Sequence, residues 1–266
     1  MSGVIGTSGV IHIYPDRESL SCGAATLFAQ QAGRALKDRG RFTVALSGGH
    51  TPLGTYELLA QPPFRDRVAW DQTHVFWGDE RCVPSEDPRN NARVARLLLL
   101  ERVPIPPSQI HPISCDRSPK EAAQEYEDLL RSFFDATPPC FDLILLGLGE
   151  DGHTASLFPH APILTEGKRW VTEVKVPQQE LYRVTLTPPV INQAAVVAFL
   201  VAGVAKAQIL KDVLEGRKDP FRFPAQLIRP SSGTIEWLAD RGAASQLSRA
   251  AAWAGLETAI FQRNHH

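Results

Sequence analysis

The sequence predicts an α/β fold, a mostly parallel sheet with helices on both of its faces. Three observations carry this. Short apolar runs are near-continuous rather than alternating, as in strands covered on both sides. Stretches with apolar residues at helical spacing lie between them. The two kinds of segment alternate along the chain, and strand followed by helix several times over implies a layered α/β architecture.

Val10-Ile11-His12-Ile13-Tyr14 reads as the first strand. Leu20, Leu27, Phe28, Ala32, Ala35 and Leu36 then recur at helical spacing, and Gly40 ends that helix. Phe42-Thr43-Val44-Ala45-Leu46 is the next strand. After it, Thr51 is placed to cap a helix with Pro52 at its first position. His74-Val75-Phe76-Trp77 is a third strand. Ser118-Pro119-Lys120-Glu121 reads as a capping box with proline at the first helical position, followed by an apolar stripe of Ala122, Tyr126, Leu129, Leu130 and Phe133. Further strands are expected at residues 142–146, 182–186, 196–201 and 234–238. A helix over 205–214 is stopped by Glu215-Gly216 and Pro220. Proline-rich stretches at 61–64, 103–107 and 137–139 read as connecting loops too short for a domain linker, so a single domain over residues 1–266 is expected.

The 266 residues carry 28 Lys plus Arg against 29 Asp plus Glu, a net charge of −1. That balance argues against nucleic acid as the main partner, because a phosphate backbone needs a basic excess. No apolar run approaches the roughly 18–20 residues needed to cross a bilayer, and residues 1–14 lack a basic segment followed by an apolar one. A cytoplasmic protein without a membrane partner is expected. Cys22, Cys82, Cys115 and Cys140 form no C-x-x-C pair, which argues against a zinc knuckle. They are expected to be reduced and to act as small buried hydrophobes. No metal site is expected.

In open α/β sheets, ligands bind beyond the carboxyl ends of the strands, and four strand ends carry unusual residues. Ser47-Gly48-Gly49-His50-Thr51-Pro52 follows the second strand. It reads either as a plain tight turn or as a backbone cradle for an anion at a helix N-terminus. Gly78-Asp79-Glu80-Arg81 follows the third; it is either a surface ion pair or a sugar site in which Arg81 contacts a phosphate or carboxylate bidentately. Gly147-Leu148-Gly149-Glu150-Asp151-Gly152-His153-Thr154 follows residues 142–146. It matches G-x-G-x-x-G, with Glu173 about 20 residues on, as in dinucleotide sites. Pro159 and Pro162, however, break the helix such a site requires. The other reading is a bent loop, in which His153 is either a general base, since imidazole titrates near neutrality, or a histidine that only hydrogen-bonds within the loop. Asp151 then either orients the imidazole or only shapes the turn. Lys206, in the first turn of the helix after residues 196–201, opposes the helix dipole; it reads either as a cation placed for a phosphate ligand or as a solvated lysine. There is no G-x-S-x-G elbow and no H-E-x-x-H, so serine and zinc hydrolases are disfavoured.

These blocks, with Trp77, with Ala155-Ser156-Leu157-Phe158-Pro159 and with Arg183-Val184-Thr185-Leu186-Thr187, resemble the glucosamine-6-phosphate isomerase/6-phosphogluconolactonase family on its lactonase side. Lys206 and Pro224-Ala225-Gln226-Leu227 fit later blocks, although Gln226 stands where a small residue such as serine is expected. The likeness runs in order from about residue 12 to 240. It implies a modified Rossmann-like fold and hydrolysis of 6-phosphoglucono-δ-lactone to 6-phosphogluconate in the oxidative pentose phosphate pathway, with no cofactor. It also implies His153 as base and Arg81 and Lys206 as phosphate contacts. Ser47, Gly48 and Gly49 line the pocket wall, and Arg183 lies on a strand facing it. Asp79 and Gly149 complete the expected substrate-binding set, with His153 and Asp151 as the catalytic pair. The partner is a phosphorylated sugar lactone; oligomeric state is open, with a monomer as the working expectation.

Three other functions compete. A glucosamine-6-phosphate deaminase carries an acid after the glycine-histidine block, where this chain has none. A sugar-phosphate sensor fused to a DNA-binding module needs a helix-turn-helix extension, and the residues before Ser47 read as one strand and one helix. A nicotinamide-dependent oxidoreductase rests on the G-x-G-x-x-G match alone.

Overall fold

The computed structural model describes residues 3–5, 9–135, 139–176 and 180–248. The last stretch of the expected domain, residues 249–266, lies outside the described residues, as do two residues of the expected loop at 137–139.

The strands are β1 (Gly3–Ile5), β2 (Gly9–Tyr14), β3 (Phe42–Leu46), β4 (Thr73–Trp77), β5 (Asp79–Arg81), β6 (Leu143–Gly147), β7 (Val171–Lys175), β8 (Tyr182–Leu186), β9 (Val196–Val201) and β10 (Thr234–Asp240). The α-helices are α1 (Arg17–Arg39), α2 (Leu53–Leu59), α3 (Asn91–Leu98), α4 (Pro119–Phe133), α5 (Pro188–Ile191), α6 (Ala207–Glu215) and α7 (Arg241–Ala244). The main sheet runs β1-β2-β10-β9-β6-β3-β4. All its pairs are parallel except β1 with β2. Every residue of β3 and β9 is buried. Successive side chains point to opposite faces, so both faces of these central strands are covered.

The local signals set the helix ends. Asp16 caps α1 by accepting from the Ser19 N–H, and Gly40 closes it at φ 70°. Ser118 and Glu121 form the expected capping box at α4. The expectation at Thr51 and Pro52 is corrected: Pro52 itself is the cap of α2, no side chain bonds there, and α2 is only 7 residues long.

A second correction concerns layering. Residues 182–186 do form a strand, but in a separate antiparallel sheet ordered β5-β8-β7. Gly78 is the branch point: its N–H donates to the Leu46 carbonyl of the main sheet, and its own carbonyl accepts from the Leu186 N–H of the small one. The strand through Trp77 therefore leaves one sheet and enters the other within one residue. Glu127 of α4 ties the small sheet down, accepting from the Trp170 and Val171 N–H groups and pairing with Arg131 at 2.6 Å.

The edge of the main sheet at β4 is covered by residues 109–113, whose His111 N–H donates to the Val75 carbonyl at 2.8 Å. His111 stacks on Phe76, with centroids 4.4 Å apart, and its Nε2 lies 3.2 Å from Nδ1 of His74. Burial, reinforced by His74, lowers the His111 pKa to about 4. Burial and the nearby Arg41 lower that of His74. Both imidazoles thus take up protons less readily folded than unfolded, and stability present above about pH 6.5 is lost as pH falls toward 4. His111 is only half buried, so screening reduces its share to about 1–2 kcal/mol. Thermal melts from pH 7 to 4 should show Tm falling on acidification, less steeply in His111→Gln; equal slopes would remove His111 as the cause.

The expectation of four reduced, buried thiols is also corrected. Cys82 and Cys115 are joined, their Cα atoms 5.1 Å apart across 33 residues of sequence, whereas Cys22 is half-buried and Cys140 exposed. Spacing in sequence could not reveal this pair, because the fold lays the loop after β5 beside the segment after residue 113. Closing a loop of this length removes unfolded-state entropy worth roughly 3–4 kcal/mol. Dithiothreitol should therefore lower Tm by roughly 6–12 °C, and Cys82→Ser should melt alike with and without reductant. An unchanged Tm on reduction would show that the bond adds nothing.

Candidate active site

The strand order reverses between β3 and β6: from β3 the chain moves to β4 on one side and returns to β6 on the other. Such a switch point leaves a crevice at the carboxyl ends of the two strands. The loops carrying Ser47 and His153 leave the sheet there. The Lys206 loop follows β9, next to β6, and the Asp79–Arg81 strand follows β4, next to β3. These four adjacent strand ends span about 14 Å at the usual inter-strand spacing.

The loop after β6 turns sharply, with Gly152 at φ 85° and Ala155 at φ 47°. Among the described residues no α-helix follows Gly152 before α5, only the one-turn 3-10 helix Pro162–Thr165. A dinucleotide site therefore lacks the helix N-terminus it needs. The turn instead brings Nδ1 of His153 to 2.5 Å from Oδ1 of Asp151, which also accepts the His153 N–H at 3.1 Å. A carboxylate facing Nδ1 keeps the proton on that nitrogen and leaves the Nε2 lone pair as the basic site. Among the described residues Nε2 has no hydrogen-bond partner. Burial pushes the Asp151 carboxyl up, but the bond to His153 outweighs it and holds the group below its ordinary value. A Cβ at Gly149 would collide with the His153 ring and with Asp151, so this glycine makes room for the pair.

Lys206 caps α6, and its Nζ lies 3.8 Å from Oε1 of Glu150, within the His153 loop. Gly203, at φ 96°, begins its turn, with its N–H held by the Asp240 carboxylate. On the other side, Arg81 and Arg183 are register partners of β5 and β8. Burial lowers the pKa of Arg81, and the charge of Arg183 pushes the same way. Two guanidiniums held side by side favour an anion between them. Phe158 links this side to the base: the His153 ring lies 4.8 Å and the Arg183 guanidinium 5.5 Å from its centroid.

Asp79 is 5% exposed. Its Oδ2 accepts from Ser156 Oγ at 2.7 Å and from Arg183 Nη1 at 3.3 Å. Its Oδ2 is thus held by protein partners, a structural part beside the substrate-binding one expected of it. Glu80 is fully buried. It accepts the N–H groups of Arg81, Asn91 and Ala92, tying the strand to the start of α3. Burial, partly offset by these donors, lifts its pKa to about 7. Ser47 is buried at the end of β3; its N–H and carbonyl both bond the Tyr56 hydroxyl, while its Oγ has no partner among the described residues. A Cβ at Gly48 would run into the side-chain amide of Asn91, whereas Gly49, at φ 87°, faces open space. Gln226 lies outside the site, donating to the carbonyls of Asp212 and Val213 at the end of α6.

Sequence reading missed Asn91, Ser156 as the partner of Asp79, and Glu150 as the partner of Lys206. A local signal existed only for the first, since Asn90 caps α3 and marks the helix start beside it.

Known proteins share the sequence and fold of this chain. The chain is 46% identical over 218 residues to a 6-phosphogluconolactonase of Synechocystis, covering 80% of this chain and 88% of that one. A Nostoc 6-phosphogluconolactonase is 39% identical over 242 residues, covering 90% and 98%. The structure superposes on the 6-phosphogluconolactonase from Trypanosoma cruzi with a TM-score of 0.80 at 26% identity, covering 91% of this chain and 98% of that one. The family described as glucosamine-6-phosphate isomerases/6-phosphogluconolactonase matches residues 15–237, and the chain belongs to it.

Proposed function

We propose that this protein is a 6-phosphogluconolactonase, hydrolysing 6-phospho-D-glucono-1,5-lactone to 6-phospho-D-gluconate in the oxidative pentose phosphate pathway. The observation that carries the reading is the Asp151–His153 pair at the switch point, with lysine and arginine cations on both sides of it. Arg81 and Lys206, reaching inward from the two ends of the row, hold the phosphate. That anchors the ring so that its lactone carbonyl meets a water on Nε2 of His153. As the water attacks C1, Nε2 takes its proton and the carbonyl oxygen becomes an oxyanion. Arg183, held by Asp79 and sharing the Phe158 ring with the base, stabilises that charge together with backbone amides of the glycine loops. Collapse of the tetrahedral intermediate breaks the ring C–O bond, and the proton on His153 passes to the departing ring oxygen. Asp151 orients the imidazole and stabilises its charged form. Asp79 is a positioning residue for Arg183.

No cofactor takes part in these steps. We assign them to one catalytic domain, and to the cytoplasm, because a phosphorylated substrate crosses membranes poorly. No helix among the described residues is long and apolar enough to span one. The test is lactone hydrolysis corrected for the spontaneous rate, run beside ammonia release from glucosamine 6-phosphate. Turnover well above the blank with no ammonia is the expected result. Ammonia release without lactone turnover would assign deamination, and tight binding with neither activity would make this a sensor.

A further inference from the structure

We propose that Asn91 is the positioning residue that presents Arg81 to the substrate phosphate, an assignment that rests on the lactonase reading above. Nη1 of Arg81 gives both its protons to the protein, one to the Arg89 carbonyl at 2.8 Å and one to Oδ1 of Asn91 at 2.5 Å. Among the described residues, Nε and Nη2 have no hydrogen-bond partner. Holding the guanidinium by Nη1 leaves its Nε–Nη2 edge for two parallel bonds to a phosphate oxygen pair.

The Asn91 amide has one workable orientation. Its Nδ2 donates to the Asp79 carbonyl at 2.9 Å and its backbone N–H to Oε1 of Glu80 at 2.7 Å. Turning the amide over would set an N–H₂ group against the guanidinium and an oxygen against a carbonyl, losing both bonds. Asn91 is 4% exposed, whereas Arg89, the other acceptor, sits on an exposed loop. The buried amide is thus the rigid half of the hold. It works against a real force, because Arg183 lies in register beside Arg81 and the two cations repel. Gly48 belongs to the same device, since any side chain there would displace Oδ1. The three segments that meet at Asn91 are the loop after β3, strand β5 and the first turn of α3.

The experiment is a double-mutant cycle on the full chain. Asn91→Ala should raise KM for the lactone, and the inhibition constant of inorganic phosphate, by roughly tenfold each, as expected for one charge-assisted bond. Turnover at saturation should change by less than about threefold, because the base is untouched. In an Arg81→Ala background the same substitution should have no further effect. Additive effects, or a fall in kcat with KM unchanged, would overturn the assignment. Gly48→Ala is the second variant should Asn91→Ala fail to fold. It should raise KM in the same way, and that penalty should also vanish without Arg81; an unchanged KM, or a penalty that persists, overturns the assignment equally. Phosphate binding by calorimetry reads the same cycle without turnover. A wild-type chain that left the lactone intact would sink the lactonase reading, while the cycle would still decide the role of Asn91.

Discussion

His153→Ala is expected to lower kcat for lactone hydrolysis by roughly 10²–10⁴-fold, the range for one positioned general base, with KM within about threefold of wild type. The separation follows from the architecture. The imidazole comes from the loop after β6, while Arg81 comes from β5 in the small sheet and Lys206 from the turn after β9 in the main one. Removing the ring leaves those cations in place. Asp151→Asn separates the two readings of that residue. If the carboxylate orients the imidazole, an amide can present its N–H to Nδ1, select the wrong tautomer and lower kcat by more than about tenfold. If Asp151 only shapes the turn, the isosteric change leaves kcat intact. Because the folded protein holds the Asp151 carboxyl below its ordinary value, it stays ionised through neutral pH and contributes no step to the activity profile there. Near-wild-type kcat in His153→Ala, measured against the spontaneous rate, would dismiss His153 as the base.

Asp79→Ala should be the most destabilising change at the site, by about 3–5 kcal/mol. The Arg183 side chain is 15% exposed, and Asp79 at 3.3 Å is its carboxylate partner. Deleting that partner leaves a nearly buried guanidinium uncompensated and frees Ser156 Oγ, whose 2.7 Å bond goes to the same oxygen. Asp79→Asn retains an acceptor and should lose about half as much. Urea unfolding reads the stability, and kcat/KM read alongside should fall more than Tm alone explains, since Arg183 loses its orientation. An Asp79→Ala variant with the wild-type urea midpoint would mean that this buried pair contributes nothing net.

Much of the scaffold was legible because its causes are local. The runs at 42–46 and 196–201 became central strands β3 and β9. The Ser118 capping box opened α4. The bend at Gly152 was readable from Pro159 and Pro162, which left no room for a long helix. Where the reading failed, the cause lay far away in the chain. The glycine at 48 gave no sign that it makes room for the side chain of Asn91. Thr51 looked like a cap, but α2 begins without one. Cys82 and Cys115 gave no sign of meeting.

By itself the sequence determined the order of strands and helices and singled out the loops and the histidine proposed to carry the chemistry, since each follows from residues within a few positions of one another. Only the tertiary structure decided which groups face which. Strand order sets Lys206 beside the His153 loop, and the small sheet's register sets Arg81 against Arg183. The buried amide of Asn91 reaches Arg81 only once α3 starts beside β5. Such partnerships depend on contacts between distant segments, and no pattern confined to a short window can encode them.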